Sequence, residues 1–303
     1  MRKITKFAII YICLISLIGC TKNNENDNNI KSNDKSVTQQ DTAVDSIYSS
    51  MPDVFFNSMF SKDENDSIYF AWDSNIYRTN KDGDMLEVLF SGKDQGFGII
   101  ASQYFNGYVY FIYGPHPDIS RTAINGIGKI DLNNHQFTSI YNTNNYRPST
   151  IRIYNDKMYI ESSSLDSDSY NCFIFDFNDR EGTIKNPIMS DESILVTQSN
   201  YIKNKHPNIF SNTVNSLETL IIGYNNNLVY FVSFGNENEV TSLNLETGEE
   251  KLYSIRKHYK SNYNPGTPFD IIDGKIYSVS IYGVVSFDSN FENMKYIIKA
   301  ENA

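Results

Sequence analysis

The side chains best suited to chemistry gather in four short stretches of this sequence. They are Arg256-Lys257-His258-Tyr259-Lys260 with Tyr263, Tyr201 with Lys203, Lys205 and His206, Tyr146-Arg147, and His116 with Arg121. Arg and Lys pair with anionic groups, and aromatic rings stack on sugars or on cations, so the set suits a platform for a carbohydrate, a peptide or an anion. Exposed loops hold polar residues as a matter of course, so composition alone does not separate a platform from an ordinary surface. The four histidines, His116, His135, His206 and His258, have no metal-type spacing, and no phosphate-cradling glycine loop, nucleophile elbow or Cys-x-x-Cys occurs. No metal and no cofactor is implied. Asp166-Ser167-Asp168 could offer carboxylates to calcium but lacks the other ligands and the glycine of a calcium loop, which favours a solvated loop. Cys172 stands on a predicted strand with no histidine linked to it in sequence, as a small buried apolar residue would.

Elements of a repeat must position these groups. A turn pair followed three residues later by a tyrosine in an apolar run occurs five times: Asn65-Asp66 with Tyr69, Asn106-Gly107 with Tyr110, Asn155-Asp156 with Tyr159, Asn226-Asn227 with Tyr230, and Asp273-Gly274 with Tyr277. Asn, Asp and Gly tolerate the positive φ of a two-residue hairpin turn. Alternation places strands at 99–105, 108–113, 128–132 and 137–141, at 219–224, 228–234, 239–245 and 251–254, and at 269–272, 275–281, 283–287 and 294–298. Four strands per repeat and no helical periodicity predict an all-β fold, a β-propeller of four-stranded antiparallel blades. The long gap before the fourth repeat is either an insertion over 190–216 in a five-bladed ring or a degenerate sixth blade around Ile194–Val196 and Ile209–Phe210. Five blades plus an insertion is the preferred alternative.

In such blades the first-to-second and third-to-fourth connections leave on one side, and the remaining connections on the other. The first set is predicted to be short, as at Lys81–Asp84, Asn133–Gln136 and Glu246–Glu249. The second set is predicted to be long, over Gly114–Ile127, Asn142–Ser149, Ser163–Asn171, Ser190–Ser216 and Ile255–Pro268. Long loops on a rigid scaffold are where binding residues usually sit. The candidate ligand-binding set is therefore Arg256, Lys257, His258, Tyr259, Tyr263, Tyr146, Arg147, His116, Arg121 and Lys205, all on the long-loop side.

Residues 1–19 read as an export signal. Arg2, Lys3 and Lys6 precede an apolar run, Phe7–Ile18, that is shorter than the ~20 residues of a membrane span. Leu17-Ile18-Gly19-Cys20 resembles the bacterial lipobox, which implies cleavage before Cys20, lipidation of that cysteine with diacylglyceryl and usually N-acyl groups such as palmitate, and a stable anchor in the cell envelope. Residues 20–50 comprise the lipidated cysteine and a linker rich in Asn and Ser with few large apolar residues, so no core offsets its ordering entropy. The propeller domain then covers 51–303. The chain carries a net charge of −10, which argues against nucleic acid and against anionic headgroups as partners.

The first repeat also resembles a known family. Tyr69-Phe70, Ile76-Tyr77-Arg78 and Asn80-Lys81-Asp82-Gly83 are similar to one blade of the tyrosine-tryptophan-threonine-aspartate propellers of lipoprotein receptors, and to an uncharacterised bacterial propeller family related to them. Phe70, Ala71 and Trp72 stand where the family has tryptophan, threonine and aspartate, so the resemblance implies architecture and not a ligand. Three functions fit. The favoured one is a membrane-tethered, extracytoplasmic, non-catalytic binding or scaffolding module for a protein or carbohydrate. A five-bladed glycoside hydrolase would need carboxylates converging from the first strands, where the acids are Asp53, Glu218, Asp270 and Asp273. A docking subunit of an envelope assembly complex would need an exposed apolar patch.

Overall fold

Short runs of Val, Ile, Phe and Tyr, broken every six to eight residues by Asn, Asp and Gly, can bury an apolar face only as strands. The computed structural model describes residues 59–165, 170–179, 184, 188–190, 200, 202–210, 219–225, 227–233, 239–254, 269–280 and 283–300. Twenty strands among them form five four-stranded sheets, each antiparallel and each in sequence order. Sheet 1 holds β1 (Phe60–Lys62), β2 (Ser67–Trp72), β3 (Asn75–Asn80) and β4 (Leu86–Ser91). Sheet 2 holds β5 (Gly98–Phe105), β6 (Tyr108–Gly114), β7 (Asn125–Asp131) and β8 (Phe137–Thr143). Sheet 3 holds β9 (Tyr146–Tyr154), β10 (Lys157–Ser164), β11 (Tyr170–Asp176) and β12 (Ile188–Ser190). Sheet 4 holds β13 (Thr219–Asn225), β14 (Leu228–Ser233), β15 (Glu239–Asn244) and β16 (Glu250–Ser254). Sheet 5 holds β17 (Phe269–Ile272), β18 (Lys275–Ser280), β19 (Gly283–Phe287) and β20 (Lys295–Lys299). The chain is all-β with propeller-like, blade-sized sheets, and short helices α1 (Gly92–Gln95) and α2 (Pro207–Phe210) lie between strands.

The five repeat tyrosines fall on β2, β6, β10, β14 and β18, the second strand of each sheet, and all are buried. Asn106-Gly107, Asn155-Asp156 and Asp273-Gly274 have positive φ at both residues, as two-residue hairpin turns require. Asn65-Asp66 departs from the expectation. Its connection runs over 63–66, only Asp66 has positive φ, and the Asp63 carboxylate accepts the amides of Asn65 (2.9 Å) and Ser67 (2.8 Å). A side chain there supplies the acceptors that a tight turn would find in backbone.

Among the described residues, four apolar seams join the sheets. Sheet 1 meets sheet 2 through Tyr69, Ile76 and Leu89 against Phe97, Phe111 and Tyr113. Sheet 2 meets sheet 3 through Tyr110, Ile112 and Ile127 against Ile151, Met158 and Phe173. Tyr230 and Val240 of sheet 4 pack on Phe269, Ile276 and Phe291 at sheet 5. Sheet 5 returns to sheet 1, with Tyr277, Val284 and Ile297 against Phe60, Ile68 and Phe70. The other face of sheet 4, Ile221, Val229, Phe231 and Leu243, packs on Phe210 with Ile202 and Ile209. Ile209–Phe210 is therefore helical and covers sheet 4, where a strand of a sixth blade was the alternative; Ile194–Val196 lies outside the described residues.

Two predicted loop lengths are corrected. Asn142–Ser149 is no long loop, because β8 runs to Thr143 and β9 starts at Tyr146, leaving only 144–145 between them. The third-to-fourth connection of sheet 3, over 177–187, is long although it leaves on the short-turn side. Strand pairing extends wherever backbone partners are in register, whatever the polarity of the side chains, so Asn- and Ser-rich segments joined strands that composition had ended early.

Candidate functional site

On the long-loop side, the residues 115–124 between β6 and β7 carry His116 and Arg121. His116 and Ser120 bridge through paired amides (2.8 and 3.0 Å). The His116 Nδ1 accepts the Asp118 amide (3.2 Å), and a Cβ at Gly98 would lie 3.0 Å from the His116 Cβ. His116 thus serves the loop's own shape. Arg121 is exposed and belongs to no ion pair among the described residues. Tyr146 and Arg147 begin β9, not a loop. The Tyr146 ring meets Phe173 edge-on (5.0 Å), whereas Arg147 is exposed and likewise in no ion pair among the described residues. Lys205 is exposed beside the segment that covers sheet 4. Arg256, Lys257, His258, Tyr259, Tyr263 and Cys20 lie outside the described residues.

Composition did not flag the exposed aliphatics of this side. Ile124 and Leu165 are 49% and 42% exposed. Pairing of Asn125 with Thr143, and the Leu165 amide donating to the Asn145 carbonyl (3.1 Å), bring both to one junction between sheets 2 and 3. Arg147 adjoins it, opposite Ser163. A surface of aliphatic carbon edged by a guanidinium can hold an apolar group and an anionic or hydroxyl group together.

On the short-turn side three lysines are spent on the fold. Lys62 donates to Asp66 (2.9 Å) and Asp273 (2.6 Å), and mainly the Asp273 hydrogen bond pushes its pKa up to about 12. Lys275 pairs with Asp82 (2.8 Å), and Lys295 with Asp84. The Tyr277 hydroxyl donates to the Lys81 carbonyl (3.1 Å), and Tyr104 donates to Glu64 (2.8 Å). Most of these contacts cross from one sheet to the next.

The first strands carry a third feature, one that tertiary structure alone assembles. Opposite the repeat tyrosines stand Ser61, Gln103, Arg152, Gly223 and Asp270. Asp270 Oδ2 accepts the amides of Met59 (3.0 Å) and Phe60 (2.6 Å), and Ser61 Oγ accepts that of Tyr104 (2.7 Å). Two equivalent positions thus offer a side-chain oxygen to the first strand of the following sheet. Burial raises the Asp270 pKa well above the usual carboxylate value, opposed by the Phe60 amide and the Arg152 charge. Asp270, a candidate acid for hydrolysis on sequence, is engaged in joining the last sheet to the first. Arg152 and Glu161 share one face of sheet 3 with Cys172, whose thiol is buried and pushed up to about 12 chiefly by desolvation. Such a thiol holds its proton and is a poor nucleophile.

No family model matches the sequence, and no curated protein matches it. Solved structures give distant likenesses. A nidogen/laminin complex aligns at 11% identity over 78% of this chain and 78% of that one, with a TM-score of 0.33. A mitotic checkpoint complex aligns at 8% identity over 81% and 80%, with a TM-score of 0.33. A gluconolactonase from Xanthomonas campestris aligns at 11% identity over 79% and 74%, with a TM-score of 0.36. Likeness at that level transfers no activity.

Proposed function

We propose that this chain is a membrane-tethered β-propeller that binds a protein or carbohydrate ligand on its long-loop side without catalysing a reaction on it. One observation carries the choice of side. Lys62, Lys275 and Lys295 of the short-turn side are committed to ion pairs that join sheets, whereas on the long-loop side Lys93 pairs locally with Asp73 and both Arg121 and Arg147 are exposed and in no ion pair among the described residues. A cation already held by a carboxylate must give up that partner to bind a ligand, and an exposed one need not. Cys20 is the proposed anchor, and five blades with an insertion over 190–216 the proposed ring. The contacts of β1 with β5, β5 with β9, β13 with β17 and β17 with β1, and the apolar contact of sheet 5 with sheet 1, support it.

The test uses the full mature protein, immobilised in detergent, to capture ligands from envelope extracts and on a glycan array. Arg256→Ala with Tyr259→Ala is expected to weaken the captured ligand at least tenfold, since one charge-assisted contact contributes ~1.5–3 kcal/mol and tenfold is ~1.4 kcal/mol. Lys81→Ala with His135→Ala, on the short-turn side, should leave it unchanged. Equal loss from both pairs, or loss only from the second, would place the site on the wrong side. Cys20→Ala should release the protein from membranes or leave it unprocessed.

A further inference from the structure

We propose that the outer edge of sheet 1 is a self-association surface, where β4 of one copy pairs antiparallel with β4 of a second. As the outer strand of its sheet, β4 presents along one side backbone amides and carbonyls that pair with no strand among the described residues. Its first half also stands clear of its surroundings. Met85, just before the strand, is 71% exposed, Leu86 44% and Val88 53%. Outer strands usually deter pairing with charge or brevity. The other outer strands here do so: β20 begins and ends on exposed lysines, β16 opens with Glu250-Lys251, β12 is short, and β8 exposes Thr138, Ser139 and Asn142. On β4 the one charge among the exposed residues, Glu87, is neutralised in place by Arg78.

The same neutralisation selects the partner. The chain as a whole carries −10, so two copies repel one another over most approaches. Along this edge Glu87 has Arg78, Asp82 has Lys275 and Asp84 has Lys295, and Asp94, just past the strand, is in no ion pair among the described residues. Identical edges can therefore meet along the strand with little net repulsion. Thr79 pairs with Leu86 and Tyr77 with Val88, which puts Leu86 and Val88 on one face of the sheet. An antiparallel twofold pairing would bring the Leu86 and Val88 of the two copies together, so one patch serves as both halves of the contact. An eight-stranded sheet would then run across the twofold axis.

The test is sedimentation velocity on the mature protein over a range of concentrations, with a thermal melt for each variant. The wild type should sediment at twice the protomer mass as concentration rises. Leu86→Lys with Val88→Lys should return it to the protomer mass with its melting temperature kept, because both positions are exposed. Leu252→Lys, at the exposed aliphatic of outer strand β16 (60% exposed), should leave the dimer intact. A wild type at protomer mass throughout, a dimer that survives the double lysine variant, or equal disruption by Leu252→Lys would overturn the proposal.

Discussion

Sheets 1 and 2 follow one another along the chain, and the surface between them is largely carbon: Phe90, Phe97, Phe111, Tyr113 and Phe137 interlock with ring centroids 4.6–6.4 Å apart. Gly128 makes room for them, since a Cβ there would lie 2.5 Å from the Phe137 ring and 3.1 Å from Phe111. Sheets 5 and 1 meet although Phe60 and Asp270, which bond across that seam, are 210 residues apart. That seam has an apolar centre, with Phe60 near Phe70 (5.3 Å) and Tyr277 (5.5 Å), but it is also laced by Asp270 to the β1 amides and by Lys62, Lys275 and Lys295 to acids. Chain connectivity brings sheets 1 and 2 together at little entropic cost, so burial carries most of the seam, with Ser61 and Glu64 to Tyr104 and Gln103 to the Phe60 carbonyl as its polar links. The ends of a long loop must also find one register, and directional bonds specify it.

That contrast predicts a ranking. The largest effect should come from Phe111→Ala, which removes a fully buried ring from the aromatic cluster and should cost about 3–5 kcal/mol in urea unfolding. A loss below that of any polar change at the other seam would show that burial does not dominate the junction of sheets 1 and 2.

Asp270 comes next. Asp270→Ala leaves the Met59 and Phe60 amides without their acceptor and should cost about 1–3 kcal/mol, whereas Asp270→Asn keeps an acceptor oxygen and should cost less. Its folded pKa is raised, so the folded state holds the proton above pH 3.8, where the unfolded carboxyl has begun to lose it. Stability of the wild type, measured as the melting-temperature difference from Asp270→Asn, should therefore fall as pH rises from that value through the folded pKa. A difference that grows with pH would show that the amides and Arg152 outweigh burial.

The smallest effects should come from Lys275→Ala and Lys295→Ala. Their ion pairs are solvent-exposed and should contribute about 0–1 kcal/mol each, less in high salt. Unfolding in low and high salt checks this, and a large, salt-insensitive loss would move the weight of the seam from Asp270 to its rim.

Local physics made much of this protein legible in the sequence. Five turn pairs with a tyrosine three residues on placed the second strand of every sheet, because positive φ and period-two burial are decided within a few residues. The same logic placed most other strands to within one or two residues. It failed where pairing partners, not side-chain polarity, set the ends, and so it took Tyr146 and Arg147 for loop residues. It also could not tell that Tyr146 and His116 are partly absorbed by packing while Arg121 and Arg147 stay exposed, since all four look alike as polar or aromatic residues near turns.

What only the tertiary structure decided is which groups meet across hundreds of residues. Asp270 reads in sequence as an isolated acid on a first strand; its meaning comes from the amides of Met59 and Phe60, 211 and 210 residues away. Ser61, equivalent to it by the repeat, does the same for Tyr104. The exposed aliphatics of β4 likewise follow an ordinary strand pattern until the sheet order makes that strand an edge. Strand formation depends on dihedral preference and alternation, which each segment carries with it. Exposure, ion pairing and the environment of a buried carboxyl depend on which surfaces the closing of the chain puts together.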